Sequence, residues 1–376
     1  GVDSVPENQK SEYDASQIKK ITPHEHVRLR PSLYVGGTDK NALHRLLYNL
    51  LYYPLDKAFV NACDVIKITL LPDNVVCIEE QSQTQIDSSR EFEYLMEVGT
   101  GGPTPPYYCN PFIGATCALS TGMTVELQRD GKIWQRHYAA GEPVTPVEEI
   151  RSMNPDEKAG MTYIFQPDFK IMDKNEFDYE HIRETCLEFS YLVPNTTIHL
   201  VDERGEIVQQ GIFHKPGGLL DWCDDLISER DLHALHHPLF ITTEHTLYVS
   251  SYRVENQTNH YTPVIRIQVL IQFCKGSIKH IRESASTYLY TEGGTHVDGV
   301  LDAINTVIDK NHLEDVALYA RVHVLHHSLN FQSLSELKLL DEDIYNFIKT
   351  QVIFALKNRW DISNVLDRVH HGKYTE

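Results

Sequence analysis

No stretch of this chain approaches the roughly 18 consecutive apolar residues of a membrane helix. The first twenty residues (GVDSVPENQKSEYDASQIKK) also lack the apolar centre of a signal peptide. Both absences predict a soluble, cytoplasmic protein with no membrane partner. Basic residues are scarce: 34 Lys and Arg stand against 53 Asp and Glu, a formal charge of −19. A surface of that sign repels phosphate backbones unless its cations cluster, so direct nucleic-acid binding is disfavoured. Cysteine is sparse and unpatterned. The seven (Cys63, Cys77, Cys109, Cys117, Cys186, Cys223, Cys274) are odd in number, scattered and never in a C-x-x-C pair, which argues against a disulfide framework or a zinc site.

Histidine, by contrast, is abundant at twenty. The adjacent pairs His236-His237, His326-His327 and His370-His371 point to opposite faces of a strand or about 100° apart on a helix, and so do not share a metal easily. His24-Glu25-His26 follows Thr22-Pro23, where Thr22 and Glu25 have capping-box spacing with Pro at the first helical position. The cluster is read as a helix start, and no metal site is expected.

With 41% hydrophobic content over 376 residues, the chain can bury two ordinary cores. Leu43, Leu46, Leu47, Leu50, Leu51, Leu55 and Ala58 recur at three-and-four spacing and predict a helix over about 40–60. The period then changes. Val65–Leu70 and Val75–Ile78 flank Pro72-Asp73-Asn74 as a hairpin, and Thr124–Arg129 and Lys132–His137 flank Asp130-Gly131 as a second. Further strands are predicted at Thr162–Phe165, Thr197–Leu200 and Glu206–Gln210, with a helix near Tyr179–Leu192. Past Phe213, Pro216-Gly217-Gly218 breaks the chain and strands appear at Leu247–Val254 and Val264–Gln272. A helix follows that Thr295 caps with Asp298 three residues on, then a strand at Ala317–Leu325 and a long helix near Asp341–Trp360. The pattern is α+β, an α/β sandwich with a mixed sheet followed by a second unit. The polar first dozen residues read as a mobile arm.

Particular residues then carry a family likeness. Tyr13-Asp14-Ala15-Ser16-Gln17-Ile18 and Val27-Arg28-Leu29-Arg30-Pro31-Ser32-Leu33-Tyr34-Val35-Gly36 resemble the YDASSI and VRKRPGMYIG segments of gyrase and topoisomerase IV B subunits. The likeness continues through Leu119-Ser120, Leu127–Lys132 and Glu292-Gly293-Gly294-Thr295-His296. It implies a GHKL (Bergerat-type) ATP-binding sandwich followed by a ribosomal-protein-S5-domain-2-like transducer: an arm at 1–18, the ATPase-like domain at 19–213 and the transducer-like domain at 214–376. It also implies dimerisation through the arm, with Tyr13 and Ile18 as arm residues, and a homodimer or a pairing with a gyrase-like subunit as the partnership. The resemblance places the chain's end near that of the transducer, without the DNA-cleavage part.

The same resemblance locates the chemistry, and the residues there have changed. The family's E-x-x-x-N helix, whose carboxylate activates water and whose amide binds magnesium, falls on Asn49 and Tyr53. An amide cannot take a proton from water, and a phenol is a poor magnesium ligand. Losing a general base costs about two to four powers of ten in rate. The adenine-reading stretch, close to DGRGIP in the family, falls on Glu80-Gln81-Ser82-Gln83-Thr84-Gln85, where Ser82 and Thr84 put β-carbons in place of glycines. Thr100-Gly101-Gly102 keeps a turn, but the phosphate-loop position carries Pro103, Pro105, Pro106 and Pro111, which remove backbone donors. The transducer lysine falls on Glu336, which would repel a phosphate, although a register shift of two brings Lys338 there. The vestigial pocket thus comprises Glu80, Ser82, Thr84, Gly101, Gly102 and Met161, with Asn49, Tyr53 and Glu336 as degenerate catalytic positions. These residues predict no bound cofactor, no enzyme activity and a role through protein contacts. The alternatives are a divergent ATPase or nucleotide sensor using ATP with magnesium, in which Glu80 reads adenine and another carboxylate, such as Glu79, activates water, and an acidic decoy of DNA-binding surfaces whose binding would weaken with salt.

Overall fold

The computed structural model describes residues 20–82, 113–246, 250–254, 257–261, 264–333 and 336–372. Thr22 accepts from the backbone of Glu25 while the Glu25 side chain accepts from that of Thr22, so the expected capping box opens α1 (Pro23–Leu29). A single turn, α2 (Ser32–Val35), leads to α3 (Lys40–Phe59), capped by Asp39. The leucine stripe of α3 is fully buried.

Strands β1 (Cys63–Leu71) and β2 (Val75–Ser82) form the first hairpin, with Asp73 and Asn74 at positive φ in its turn. A short helix, α4 (Ile113–Ala118), follows the undescribed stretch and packs on α3, where the Thr116 hydroxyl donates to the Leu46 carbonyl. Then come β3 (Ser120–Arg129), β4 (Lys132–Ala139), β5 (Glu142–Pro143), β6 (Glu148–Ser152) and β7 (Gly160–Pro167). Asp130 and Gly131 both take positive φ, the backbone that a two-residue hairpin turn of this kind demands. Helix α5 (Tyr179–Ser190), β8 (Thr197–Asp202) and β9 (Gln209–Phe213) complete the unit. Its strands join one mixed sheet in the order β5-β4-β3-β7-β2-β1-β8-β9, with β6 beside β4. The last of these strands begins three residues later than the sequence predicts. Asp202 and Arg204 close on each other through two bonds of 2.9 and 2.8 Å, and Arg204 also donates to the Phe177 carbonyl, so the segment after Asp202 is held as a turn.

Beyond α6 (Leu219–Arg230) lies a second sheet. It is ordered β10-β13-β15-β14, from β10 (Leu239–Thr246), β13 (Val264–Lys275), β14 (Lys279–Ala285) and β15 (Val316–Leu325). A small ribbon pairs β11 (Ser250–Val254) with β12 (Gln257–Tyr261). Helices α7 (Thr295–Val307), α8 (Glu342–Lys357) and α9 (Trp360–His370) cover this sheet and bury Val300, Ile304, Ile348 and Val352.

One sequence expectation fails here for a visible reason, and one element goes beyond what the sequence announced. Thr295 is not the cap of α7: Gly294 occupies that place, with φ 120°, and a β-carbon there would lie 2.5 Å from the Leu339 backbone nitrogen. Only glycine allows so close an approach, and the chain enters the helix without a side-chain cap. The long helix expected near 341–360 is α8, which ends at Lys357, and a further helix that the sequence did not announce, α9, follows it. Arg359, outside helical geometry at φ −110° and ψ 68°, bonds both oxygens of Asp361 and the carbonyls of His237 and Pro238, which turns the chain between α8 and α9.

The two sheet units meet through charge as well as packing. Arg321 on β15 is fully buried; its Nη1 stands 3.0 Å from Glu188 Oε2 on α5, and its guanidinium faces the rings of Tyr191 and Trp222. Arg282 on β14 lies 3.9 Å from the other Glu188 oxygen. At the far end of α3, Arg266 donates to the Phe59 carbonyl at 2.9 Å, and His323 stacks on the Phe59 ring. Burial first, then the Arg321 and Arg266 charges, hold the His323 imidazole neutral far below the usual histidine range.

Candidate functional site

Along β2 the side chains alternate, as a pleated strand requires. Val76, Ile78, Glu80 and Ser82 are buried, while Glu79 and Gln81 are exposed. A carboxylate therefore occupies an inward position in the middle of the sheet, between β1 and β7, where it faces α3. On that helix Asn49, Tyr53 and Lys57 recur every fourth residue and so line one face. All three are buried.

The structure thus brings together Tyr53, Glu80 and Ser82 from the predicted set, with Asn49 one turn before Tyr53 on the same helix face, and adds Lys57, which the sequence reading missed. Lys57 Nζ donates to Glu80 Oε1 in a short hydrogen bond and to Ser82 Oγ at 3.3 Å. The Ser82 hydroxyl donates to the same Glu80 oxygen at 2.9 Å. The ammonium also sits 4.1 Å from the centre of the Tyr53 ring, a cation–π contact. The side chains of Lys57 and Glu80 are 7% and 0% exposed, so the pair is desolvated. Removing one partner of such a pair typically costs about 3–5 kcal/mol, because the remaining charge stays buried. Burial raises the nearby Cys63 thiol, and the Glu80 charge raises it further. Asn49 is 7% exposed, and its Nδ2 has no hydrogen-bond partner among the described residues.

Met161 on β7 lies directly across from Glu80 in the ladder and is fully buried. Gly160 lies opposite Gln81. A β-carbon on Gly160 would fall 1.8 Å from the Glu80 carbonyl oxygen, so glycine sets the separation of these strands. Arg28, from the VRLRPSLYVG segment, supports the site from outside. It donates to the Ala118 carbonyl at the end of α4 and pairs with Asp168 at 2.7 Å. Burial pushes the Asp168 carboxyl up, but Arg28 outweighs it and holds the group below its usual range.

Other predicted residues stand elsewhere. Glu79 projects to the opposite face of the sheet from Glu80 and is exposed, which removes it as a group acting on a ligand beside Glu80. Glu336 lies in the turn before Leu339, where its backbone N–H bonds Ser333 Oγ and its carboxylate accepts from Gln332; Lys338 follows in the same turn. Tyr13, Ile18, Thr84, Gly101 and Gly102 lie outside the described residues. Among the described residues no group of His, Cys, Asp and Glu could hold a metal ion, and no helix is long and apolar enough to cross a membrane.

The chain is similar to the DNA gyrase B subunit of Haloferax lucentense, with 27% identity over 375 residues that cover 91% of this chain and 56% of the relative. For the Archaeoglobus fulgidus protein the figures are 25%, 94% and 57%, and for that of Thermotoga maritima 28%, 79% and 46%. The chain therefore spans about half the length of the curated relatives it matches. Its fold is that of the B subunit of the DNA gyrase from Myxococcus xanthus, with TM-score 0.73 at 20% identity over 91% of this chain and 98% of that one. The 43K ATPase domain of Thermus thermophilus gyrase B, solved with an aminocoumarin, gives 0.72 at 19% identity over 94% of both. No family model matches. These comparisons agree with the α+β fold expected from the residues. They correct the expectation that the chain is no enzyme: its relatives are named as subunits of DNA gyrase, and a structural neighbour is named as an ATPase domain.

Proposed function

Because this chain is a gyrase-B-type protein, related in sequence to gyrase B subunits and built on their ATPase-region fold, we propose that it works through protein contacts. The contact is made as a homodimer or with a gyrase-like subunit, and the ATP site has been rebuilt so that adenine no longer meets an available carboxylate. The division at 213/214 into an ATPase-like and a transducer-like part belongs to this reading. The Lys57–Glu80–Ser82 trio supports it most directly: the carboxylate at the adenine-reading position already accepts from an ammonium and a hydroxyl and is out of contact with water. Asn49 and Tyr53, on the helix above, offer neither a proton acceptor of carboxylate strength nor a good ligand for magnesium.

A second reading, a divergent B-subunit-like protein that binds and hydrolyses ATP, is favoured by the gyrase relatives and by the retention of a carboxylate at position 80. Light scattering during size-exclusion chromatography separates the two. The first reading predicts a stable oligomer, alone or with a gyrase-type subunit, whose mass is the same with and without ATP and magnesium. A monomer under every condition, or a dimer that forms only when ATP is added, contradicts it.

A further inference from the structure

A buried ion pair between α3 and β2 needs a reason. Two well-packed apolar residues of similar volume would serve the layer at least as well, since desolvating both charges offsets most of their attraction. Yet the sequence places Lys57 and Glu80 at inward positions that their own periodicities reserve for apolar side chains, and it adds Ser82 two residues along the same face. The three donors of the lysine are directed to the Glu80 oxygen, to Ser82 Oγ and toward the Tyr53 ring. Such an arrangement is what a carboxylate built to receive a donor would make with a tethered donor.

We propose that Lys57 is a built-in occupant of this site: its ammonium takes the place at Glu80 that the amino group of a base would otherwise fill, and so excludes that base. The inference rests on the reading of Glu80 as the base-facing carboxylate. It adds that the carboxylate remains competent to bind once the lysine is withdrawn. The ligand class is an amino-bearing base or a small primary ammonium, because an ionised carboxylate accepts hydrogen bonds and donates none. A base with a keto oxygen at the same position would be repelled.

The position of the lysine suits such a role. It lies in the last turn of α3, two residues before Phe59, whose carbonyl and ring are held by Arg266 and His323 of the second sheet unit. The helix end that carries the occupant is thus anchored independently of it, and shortening the side chain opens space at Glu80 without releasing the helix.

The test is titration of the full chain with adenosine, with inosine as the keto counterpart, for the wild type, Lys57→Ala and Lys57→Gln. Lys57→Gln is a neutral variant that keeps an N–H donor for Glu80 and so guards against misfolding of the alanine variant. Adenosine affinity should rise by about tenfold or more in Lys57→Ala and by less in Lys57→Gln, with no gain for inosine. Millimolar n-butylammonium should compete with adenosine in Lys57→Ala and leave the wild type unchanged. Folded variants that bind adenosine no better than the wild type, or that gain adenosine and inosine alike, overturn the proposal. So does binding that the ammonium ion does not displace. Tight ATP binding by the wild type would instead overturn the reading under Proposed function, so the two failures are told apart.

Discussion

Gly160→Ala abolishes the native pairing of β7 with β2 and lowers stability by more than about 4 kcal/mol, the range reached only when a named structural conflict is introduced. The conflict is steric and falls on backbone. A β-carbon at 160 would stand 1.8 Å from the carbonyl oxygen of Glu80 and 2.8 Å from its carbonyl carbon. No rotamer relieves it, because neither partner is a side-chain end. The strands must separate at the Gln81–Gly160 and Glu80–Met161 rungs, which lie at the centre of the mixed sheet and beneath the Lys57–Glu80 pair. Denaturant unfolding monitored by circular dichroism measures the loss. Gly131→Ala serves as the comparison: it also has a positive φ, but nothing lies near its added carbon, so it shows only the smaller cost of the turn conformation.

The junction between the sheet units should respond asymmetrically to loss of either partner of its ion pair. Glu188→Ala leaves the Arg321 guanidinium, which is fully buried, facing the Tyr191 and Trp222 rings and the positively charged Arg282. An uncompensated charge at such depth costs about 3–5 kcal/mol. Arg321→Met removes the buried charge itself and keeps much of the volume. It leaves Glu188, which is partly exposed, still close to Arg282 at 3.9 Å, so its penalty should be the smaller of the two. Equilibrium unfolding of both variants checks the order. Equal losses would mean that packing, rather than the buried charge, holds the junction.

The residues announced their elements most clearly where period and turn chemistry agreed. The leucine stripe of α3 and the Asp130-Gly131 hairpin needed nothing beyond local patterns, because one apolar face and two positive-φ positions each admit one solution. Thr295 misled because capping chemistry is local, whereas the contact that selects Gly294 comes from Leu339, far along the chain. The break between α8 and α9 carries neither glycine nor proline. It is made by Arg359 reaching carbonyls at 237 and 238, a contact with no trace in the local pattern.

At the site, the family pattern drew attention to Asn49, Tyr53 and Glu80 as replacements, and the fold gathers these three on facing elements. Lys57 was passed over because it is not one of the positions at which the family's chemistry was expected. A physical signal was nonetheless present: an ammonium four residues after Tyr53 on the buried stripe of a helix needs an anionic partner, and Glu80 breaks the apolar alternation of β2 in the same way. Two charges at inward positions on neighbouring elements are best explained by each other.

Isothermal calorimetry of the intact chain with ATP and magnesium tests most directly whether the carboxylate at position 80 is already taken. The account predicts no saturable heat at micromolar nucleotide. Binding of one ATP per chain with low-micromolar affinity, abolished by Glu80→Gln, would contradict it.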